Sequence, residues 1–194
     1  LSLSAHKFHG PKGVGLLYIR TGVRIDPLVH GGAQERGKRA GTENLPAIVG
    51  MGEAIEIAAA NCAENAERLT LLRDDLIRRL MAAIPDIRLN GHPTQRLPGN
   101  VNISVRYIEG EALLLRLDLA GIAASSGSAC TSGSLDPSHV LLAIGLPHEI
   151  AHGSLRFSLS DNSTREDIDE LLRVLPGIVS TLRDMSPFFP RKEV

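Results

Sequence analysis

Apolar residues in this chain follow strand spacing in some segments and helix spacing in others. Val14–Ile19 is a short, wholly apolar run between turn residues, which predicts a buried strand. Over 101–107, Val and Ile alternate with Asn, Ser and Arg, which predicts a half-buried strand. Further strands are expected at 154–159 and, more briefly, at 122–125. Between 29 and 44 this regularity gives way to a glycine-rich loop.

Helical spacing is longest between about Leu45 and Ile84, where apolar residues recur three or four positions apart. Cys62 lies on this stripe, so we expect its side chain to pack in a core. A helix of this length exceeds the usual globular size, which indicates a break within it. Two shorter helices are expected at 109–120 and 137–144.

A last long helix is predicted near the C-terminus. Ser163 and Glu166 have the spacing of a capping box, so the helix should begin near Ser163. We expect it to break at the Pro176–Gly177 pair and to continue towards Met185. Because strands and helices interleave without a repeat, the sequence predicts an α/β protein, or an α+β arrangement in its C-terminal half.

The composition is that of an ordinary globular protein. The 194 residues are 43% hydrophobic and 22% charged, with a net charge of -1. Near-neutral charge and only four Phe, two Tyr and no Trp argue against a nucleic-acid partner. No apolar run reaches the roughly 18 residues of a membrane span, so no membrane partner is expected. Two cysteines are too few for a disulfide scaffold, which indicates a reducing, cytoplasmic location.

Lys7 is the first candidate for chemistry, in the segment Ser4-Ala5-His6-Lys7. A lysine that forms a Schiff base must be held on a short, fixed loop. A neighbouring serine hydroxyl and backbone N–H groups suit the phosphate of a cofactor. The alternative is a surface lysine in a polar turn, which is the usual state of an isolated lysine.

Cys130 is the second candidate. It lies in Ser125–Ser134, a run with almost no side-chain bulk, whereas a buried structural cysteine usually belongs to an apolar element. A thiol on such a segment is accessible to a substrate. The alternative is a free thiol on a flexible linker.

Arg156 and a glycine-rich loop are candidates for binding anions. Arg156 stands among apolar neighbours in a predicted strand, and its planar guanidinium can hold a carboxylate by two bonds. An internal ion pair is the commoner alternative. The loop His30–Thr42, with Arg36 and Arg39, has donors for an anion, although such loops also serve as plain connections. The seven histidines lack zinc-site spacing, so no metal is expected, and no nucleotide-binding glycine motif is present.

Four segments together resemble the C-terminal half of a cysteine desulfurase of the NifS/IscS type. They match in order and approximate spacing, and the resemblance covers essentially the whole chain. It implies a pyridoxal-phosphate enzyme with the aminotransferase-type fold. Residues 1–62 would complete the large cofactor domain and residues 63–194 would form the small C-terminal domain. The segments are Ser4–Gly15, His30–Asn44, Ser125–Ser134 and Ser154–Leu159.

The resemblance also implies roles for residues that bind the cofactor. Lys7 would be the lysine that links covalently to pyridoxal 5'-phosphate and later moves a proton. Ser4 and His6 would bind the cofactor phosphate. Thr42 would reach the phosphate held by the other subunit of a homodimer.

The implied reaction converts L-cysteine to L-alanine. Cys130 would receive the sulfur as a persulfide, deliver it to an iron–sulfur scaffold protein and transiently ligate an iron–sulfur cluster. Arg156 would hold the substrate carboxylate. Two alternatives stay open: another pyridoxal-phosphate enzyme of the same fold, such as an aminotransferase or a selenocysteine lyase, and a non-catalytic dimerisation or scaffold-binding module.

The family's residues that hold the pyridine ring precede the cofactor lysine in sequence. Lys7 stands close to the first residue of this chain, Leu1. We therefore expect the 194 residues to be a fragment that is inactive on its own.

Overall fold

The computed structural model describes residues 1–126 and 137–190. The chain falls into two units, Leu1–Ala63 and Glu64–Val194, here called unit 1 and unit 2. The assignment of residues 1–62 to a large cofactor domain and of 63–194 to a small domain stays a prediction.

Unit 1 begins with two short strands that pair antiparallel, with Ser4 opposite Gly15. A single 3-10 turn, Ala5–Phe8, follows the first strand directly. The other elements are one irregular turn and one helix that packs against the 3-10 turn. The elements are β1 (Ser2–Ser4), β2 (Gly15–Leu17), α1 (Gln34–Gly37) and α2 (Leu45–Ala60).

The predicted buried strand over Val14–Ile19 is wrong in its length and in its burial. The strand β2 has three residues, and Leu17 and Tyr18 are each 59% exposed. Within unit 1, β2 pairs only with β1, and the helix α2 packs against the 3-10 turn instead. An apolar run predicts burial only where another element covers it.

The long helical region breaks as expected. The helix α2 ends at Ala60 and α3 (Cys62–Ala83) follows, while the Asn61 side chain donates a hydrogen bond to the Ile57 carbonyl at 3.0 Å. The expected burial of Cys62 is wrong, because its side chain is exposed. The stripe continues the helical period through Cys62, but the fully buried positions of α3 begin only at Arg73.

Unit 2 is built on a three-stranded antiparallel sheet in the order β3-β4-β5. The predicted alternation in the middle strand is confirmed, since Val101, Ile103 and Val105 are buried on one face. The predicted strand at 122–125 is reduced to one bridge between Ser125 and Arg156. The strands are β3 (Ile87–Leu89), β4 (Asn100–Val105) and β5 (Ser154–Ser158).

Helices supply the rest of the core of unit 2, which joins the buried face of the sheet to α3 and to two further helices. The helices predicted at 109–120 and 137–144 are confirmed, whereas α6 and β3 were not predicted. No single helix among the described residues is long and apolar enough to cross a membrane, and only α2 with α3, as a bent pair, meets that criterion. The remaining helices are α4 (Gly110–Leu119), α5 (His139–Ala143), α6 (His148–His152) and α7 (Arg165–Met185).

The helix α7 differs from its prediction at its start and at its proline. The capping box forms one residue later than predicted, between Thr164 and Asp167, each accepting a backbone N–H of the other. The helix runs through Pro176 without ending. A proline removes one hydrogen bond from a helix, but Leu175 and Val179 on either side are buried in the core and keep the helix in register.

Candidate functional site

Lys7 lies on a short turn whose two ends are fixed by backbone hydrogen bonds. The 3-10 turn Ala5–Phe8 begins directly after β1. Ala5 is fully buried, and its N–H donates to the Val14 carbonyl at 3.1 Å. The Ala5 carbonyl in turn accepts from the N–H of Gly10 at 2.9 Å. These bonds fix both ends of the segment that carries Lys7.

The helix α2 supports this turn by a close approach at a glycine. A Cβ atom at Gly50 would lie 2.8 Å from Cγ of Pro11, which is shorter than such atoms allow. The start of α2 is held by Asn44, whose Oδ1 accepts from the Ala47 N–H at 3.3 Å. Ala47 and Met51 bury their side chains on the same helix. The turn therefore rests on the first two helical turns of α2.

The polar side chains on the lysine turn are exposed. Ser4, His6 and Lys7 all face solvent, and none forms a side-chain hydrogen bond or ion pair with the described residues. Ser4 is the N-cap residue of the 3-10 turn, yet its hydroxyl makes no capping bond. An amine, an imidazole and a hydroxyl are thus free within four consecutive residues.

Thr42 lies in the glycine-rich loop before α2 and is exposed. The Gly41 N–H next to it donates to the side-chain oxygen of Gln34 at 3.1 Å. In the same loop Glu35 and Arg36 have φ of 51° and 57°, in the left-handed region. That conformation costs about 1–2 kcal/mol for each non-glycine residue. No hydrogen bond joins Thr42 to the lysine turn, and its role in a second subunit stays a prediction.

Arg156 lies in the middle of β5. Its neighbours Leu155 and Phe157 are buried in the core of unit 2, so the Arg156 side chain belongs to the opposite, polar face of the sheet. Its backbone exchanges two hydrogen bonds with Ser125, at 2.7 and 3.1 Å. Ser125 precedes the predicted nucleophile Cys130 by five residues. Cys130 itself lies outside the described residues.

The Arg156 side chain has no internal counter-ion among residues 1–126 and 137–190. No carboxylate of this part of the chain forms an ion pair with it. Its Nε atom is buried and has no hydrogen-bond partner. The described residues therefore give no support to the internal ion pair, which was the alternative to a role in binding an anion.

Arg156 on β5 lies opposite Asn102 on β4 and forms a bridge with Ser125, while Asn90, the residue after β3, donates its N–H to the Asn102 carbonyl at 2.8 Å. We call Asn90, Asn102, Arg156 and Ser125 the polar row. The Asn90 Nδ2 donates to Oδ1 of Asn102 at 2.7 Å and to the Ser104 hydroxyl at 2.9 Å. Sequence reasoning missed the two asparagines, because their position beside Arg156 depends on strand register.

Two arginines fix the connection between β3 and β4 at one end of this row. The Arg96 guanidinium donates to the Asn90 carbonyl at 3.2 Å and to the Asn100 carbonyl at 3.0 Å. Arg73 donates to the Arg96 carbonyl at 3.4 Å. Burial lowers the pKa of Arg96, and the nearby charge of Arg73 lowers it further. Asn90 is therefore held through both its backbone and its side chain.

Possible metal ligands are sparse in the part of the chain that the structure describes. No group of three or more His, Cys, Asp or Glu side chains there could hold a metal ion. His148 and His152 stand one turn apart on α6, with ring centroids separated by 4.7 Å in an edge-to-face contact. This pair is an aromatic contact between neighbouring turns.

Comparison with known sequences identifies relatives across almost the whole chain. Over 192 residues the chain is 62% identical to a cysteine desulfurase IscS of Methanosarcina thermophila, covering 99% of this chain and 47% of that protein. It is 61% identical over 191 residues to a cysteine desulfurase IscS of Clostridium botulinum strain Hall, covering 97% and 48%. The chain thus spans about half the length of the curated relatives it matches.

Solved structures give the same relationship. A NifS-like protein superposes with a TM-score of 0.81 at 41% identity, covering 93% of this chain and 46% of that one. A NifS-like protein from Rickettsia africae gives 0.82 at 32% identity, covering 92% and 47%. The expected aminotransferase-type fold and the resemblance to NifS/IscS-type proteins are confirmed. Residues 1–171 match the family model described as aminotransferase class-V, and the chain belongs to that family.

Proposed function

We propose that this chain is the part of a cysteine desulfurase that carries the cofactor lysine, the sulfur-accepting thiol and the carboxylate-binding arginine. The observation that carries this proposal is 61–62% identity to proteins named cysteine desulfurase over 97–99% of the chain. The activity is proposed for the protein in its natural full length, with L-cysteine as substrate and L-alanine as product.

The residues of unit 1 fit the cofactor on which this family depends, pyridoxal 5'-phosphate. Its aldehyde needs an amine, which Lys7 offers on a fixed turn, and its phosphate needs donors, which Ser4 and His6 leave free. Thr42 would contact the phosphate in the second subunit of a homodimer. When bound, the cofactor supplies an electron sink that stabilises negative charge on the substrate Cα.

Arg156 would bind the carboxylate of L-cysteine. A guanidinium can donate two parallel hydrogen bonds to a carboxylate, which fixes the orientation of the substrate as well as its position. Support comes from the lack of any competing carboxylate on Arg156 among the described residues. Lys7 would move a proton at the substrate Cα as general base and acid.

Cys130 would take the sulfur atom. Its thiolate forms an S–S bond to the substrate sulfur while the carbon–sulfur bond breaks, and the bonding pair stays with the carbon. That carbon is then protonated and leaves as the methyl group of L-alanine. The Cys130 persulfide would pass its outer sulfur to an iron–sulfur scaffold protein, with transient cluster ligation by Cys130, in the cytoplasm.

The test is C130S in the full-length protein, with C62S as the matched control on an exposed cysteine. With L-cysteine labelled at sulfur, C130S should carry no protein-bound label and release no sulfide, while its cofactor absorbance stays intact. C62S should behave as wild type. Retained label in C130S would overturn the role of Cys130, and lost absorbance would show that the residue is structural.

The same experiment separates the proposal from an aminotransferase of this fold. An aminotransferase needs no thiol, so C130S would keep its amino-group transfer and the wild type would carry no sulfur label. A protein that transfers amino groups without acquiring label would contradict the desulfurase assignment.

A further inference from the structure

Two buried side-chain atoms of the described residues lack hydrogen-bond partners, and both flank Asn102. They are Oδ1 of Asn90 and Nε of Arg156. Asn90 lies opposite Asn102 on one side, with its N–H donating to the Asn102 carbonyl at 2.8 Å. Arg156 lies opposite Asn102 on the other side, in register across β4 and β5. Buried polar atoms are rarely left unpaired, so this concentration around one residue requires a physical reason.

The side chain of Asn102 has a fixed orientation. Its Oδ1 accepts from Nδ2 of Asn90 at 2.7 Å. Asn90 is 2% exposed and is itself held by the buried hydroxyl of Ser104 and by Arg96 on its carbonyl. This bond turns Oδ1 of Asn102 towards Asn90, on the side away from Arg156. The oxygen could accept a second hydrogen bond, but no hydrogen bond joins it to Arg156, whose Nε has no partner among the described residues.

The guanidinium of Arg156 carries only donors and therefore needs acceptor atoms around it. Directly opposite residues in an antiparallel pair have Cβ atoms about 4.5–5.5 Å apart, so Asn102 is the nearest cross-strand neighbour of Arg156 within β4. If its oxygen were free, it would be a natural acceptor for the guanidinium. The bond to Asn90 directs that oxygen away from Arg156, and no carboxylate among the described residues takes its place.

We propose that Asn102 is a positioning residue for Arg156, locked by Asn90 so that the arginine keeps its donors for the carboxylate of the amino-acid substrate. This inference rests on the proposed function of Arg156 as the carboxylate-binding residue. In this account the polar row keeps the Asn102 oxygen away from Arg156. The substrate carboxylate then does not have to compete with a protein group for the guanidinium.

The decisive variant is N102D, measured in the full-length holoenzyme. It places a carboxylate opposite Arg156, which should pair with the guanidinium and compete with the substrate. The KM for L-cysteine should rise about 10- to 100-fold, the range expected for loss of charge-assisted hydrogen bonds, while kcat changes much less. A crystal structure of N102D should show the new carboxylate within ion-pair distance of Arg156.

N100D is the matched control, since Asn100 lies on the same strand and face but opposite Ser158. It should leave KM nearly unchanged. If N102D does not fold, N90A provides the test at smaller amplitude, because it releases Oδ1 of Asn102 to accept from Arg156 and should raise KM several-fold, which N100A should not do. In an R156A background, N102D should have no further effect on KM.

The outcomes separate this inference from the proposed function. If R156A raises the KM for L-cysteine and neither N102D nor N90A does, the role of Asn102 is overturned and that of Arg156 stands. If R156A leaves KM unchanged, the assignment of Arg156 fails and the inference fails with it. An equal rise in KM for N102D and N100D would show a general charge effect and would also overturn the inference.

Discussion

The two units of this chain hold their functional residues in different ways. Unit 2 closes a core around its sheet, with fourteen apolar residues buried in one cluster. Unit 1 buries few apolar side chains, among them Ala5, Ala47 and Met51, and leaves many large ones exposed, including Leu28 at 95%. Arg156 is consequently fixed by a packed sheet, whereas Lys7 is fixed by backbone hydrogen bonds and by one close approach to a helix.

Within the described residues, the lysine turn is held by local contacts and not by a packed core. The lysine turn depends on the buried methyl group of Ala5, two backbone bonds and the absence of a side chain at Gly50. The polar row depends instead on strand register, which the core of unit 2 enforces. Substitutions in unit 2 should therefore act on stability, and substitutions in unit 1 on the lysine turn.

The largest effect is expected for L80A in unit 2. Leu80 is fully buried in the core cluster, and removing a buried leucine side chain typically lowers the free energy of unfolding by about 2–5 kcal/mol. L28A in unit 1 should change it by no more than about 0.5 kcal/mol, as for exposed positions generally. Denaturant unfolding of both variants measures the contrast, and equal losses would contradict it.

An intermediate, local effect is expected for G50A in α2. The new methyl group would meet Pro11 at 2.8 Å and displace the segment that follows Lys7. Cofactor binding, followed by absorbance in the full-length protein, should weaken severalfold. G52A is the matched control, because nothing lies within 4 Å of its added methyl group, and it should stabilise α2 by about 0.5–1 kcal/mol. Normal cofactor binding by G50A would show that α2 does not support the lysine turn.

The smallest effect is expected at Asp75 on α3. Burial raises the pKa of Asp75, but hydrogen bonds from Arg78 and Arg79 outweigh it and hold that pKa below its usual value of 3.8. The ionised carboxylate thus stabilises the fold above about pH 3.8, and this contribution is lost as the pH falls through the lower, folded pKa.

D75N should accordingly reduce the free energy of unfolding by up to about 1 kcal/mol at pH 7. The difference from wild type should shrink as unfolding is measured at successively lower pH below 3.8. D118N changes an exposed aspartate that forms no ion pair with the described residues, and it should show little effect at either pH. A D75N deficit that persists unchanged at low pH would exclude the electrostatic explanation.

Much of unit 2 could be predicted from the sequence because the apolar faces of its strands and helices pack against other elements of the same unit. The alternating residues at 101–107 and the helical residues at 109–120 bury their apolar sides in one core, and the predicted strand and helix are both confirmed. The same rules fail at Val14–Ile19 and at Cys62, where apolar residues stay exposed among the described residues. Periodicity reports which side of an element is apolar, not whether a neighbour is present.

The candidate residues were predictable to different degrees. Lys7 and Arg156 stand out from their immediate neighbours in sequence, so local composition was sufficient to single them out. Asn102 does not, because its significance depends on Arg156 lying opposite it across β4 and β5 and on Asn90, just after β3, bonding to it from the other side. Register of this kind depends on how the strands pair, and the sequence pattern leaves that pairing open.

The central claim is that the turn after β1 presents the lysine that holds the cofactor. The most direct test is borohydride reduction of the full-length protein with pyridoxal phosphate bound, followed by mass mapping of the peptides. One adduct per chain, located on Lys7, is the predicted result. An adduct on Lys12, Lys38 or Lys192 instead, or no adduct at all, would contradict the claim.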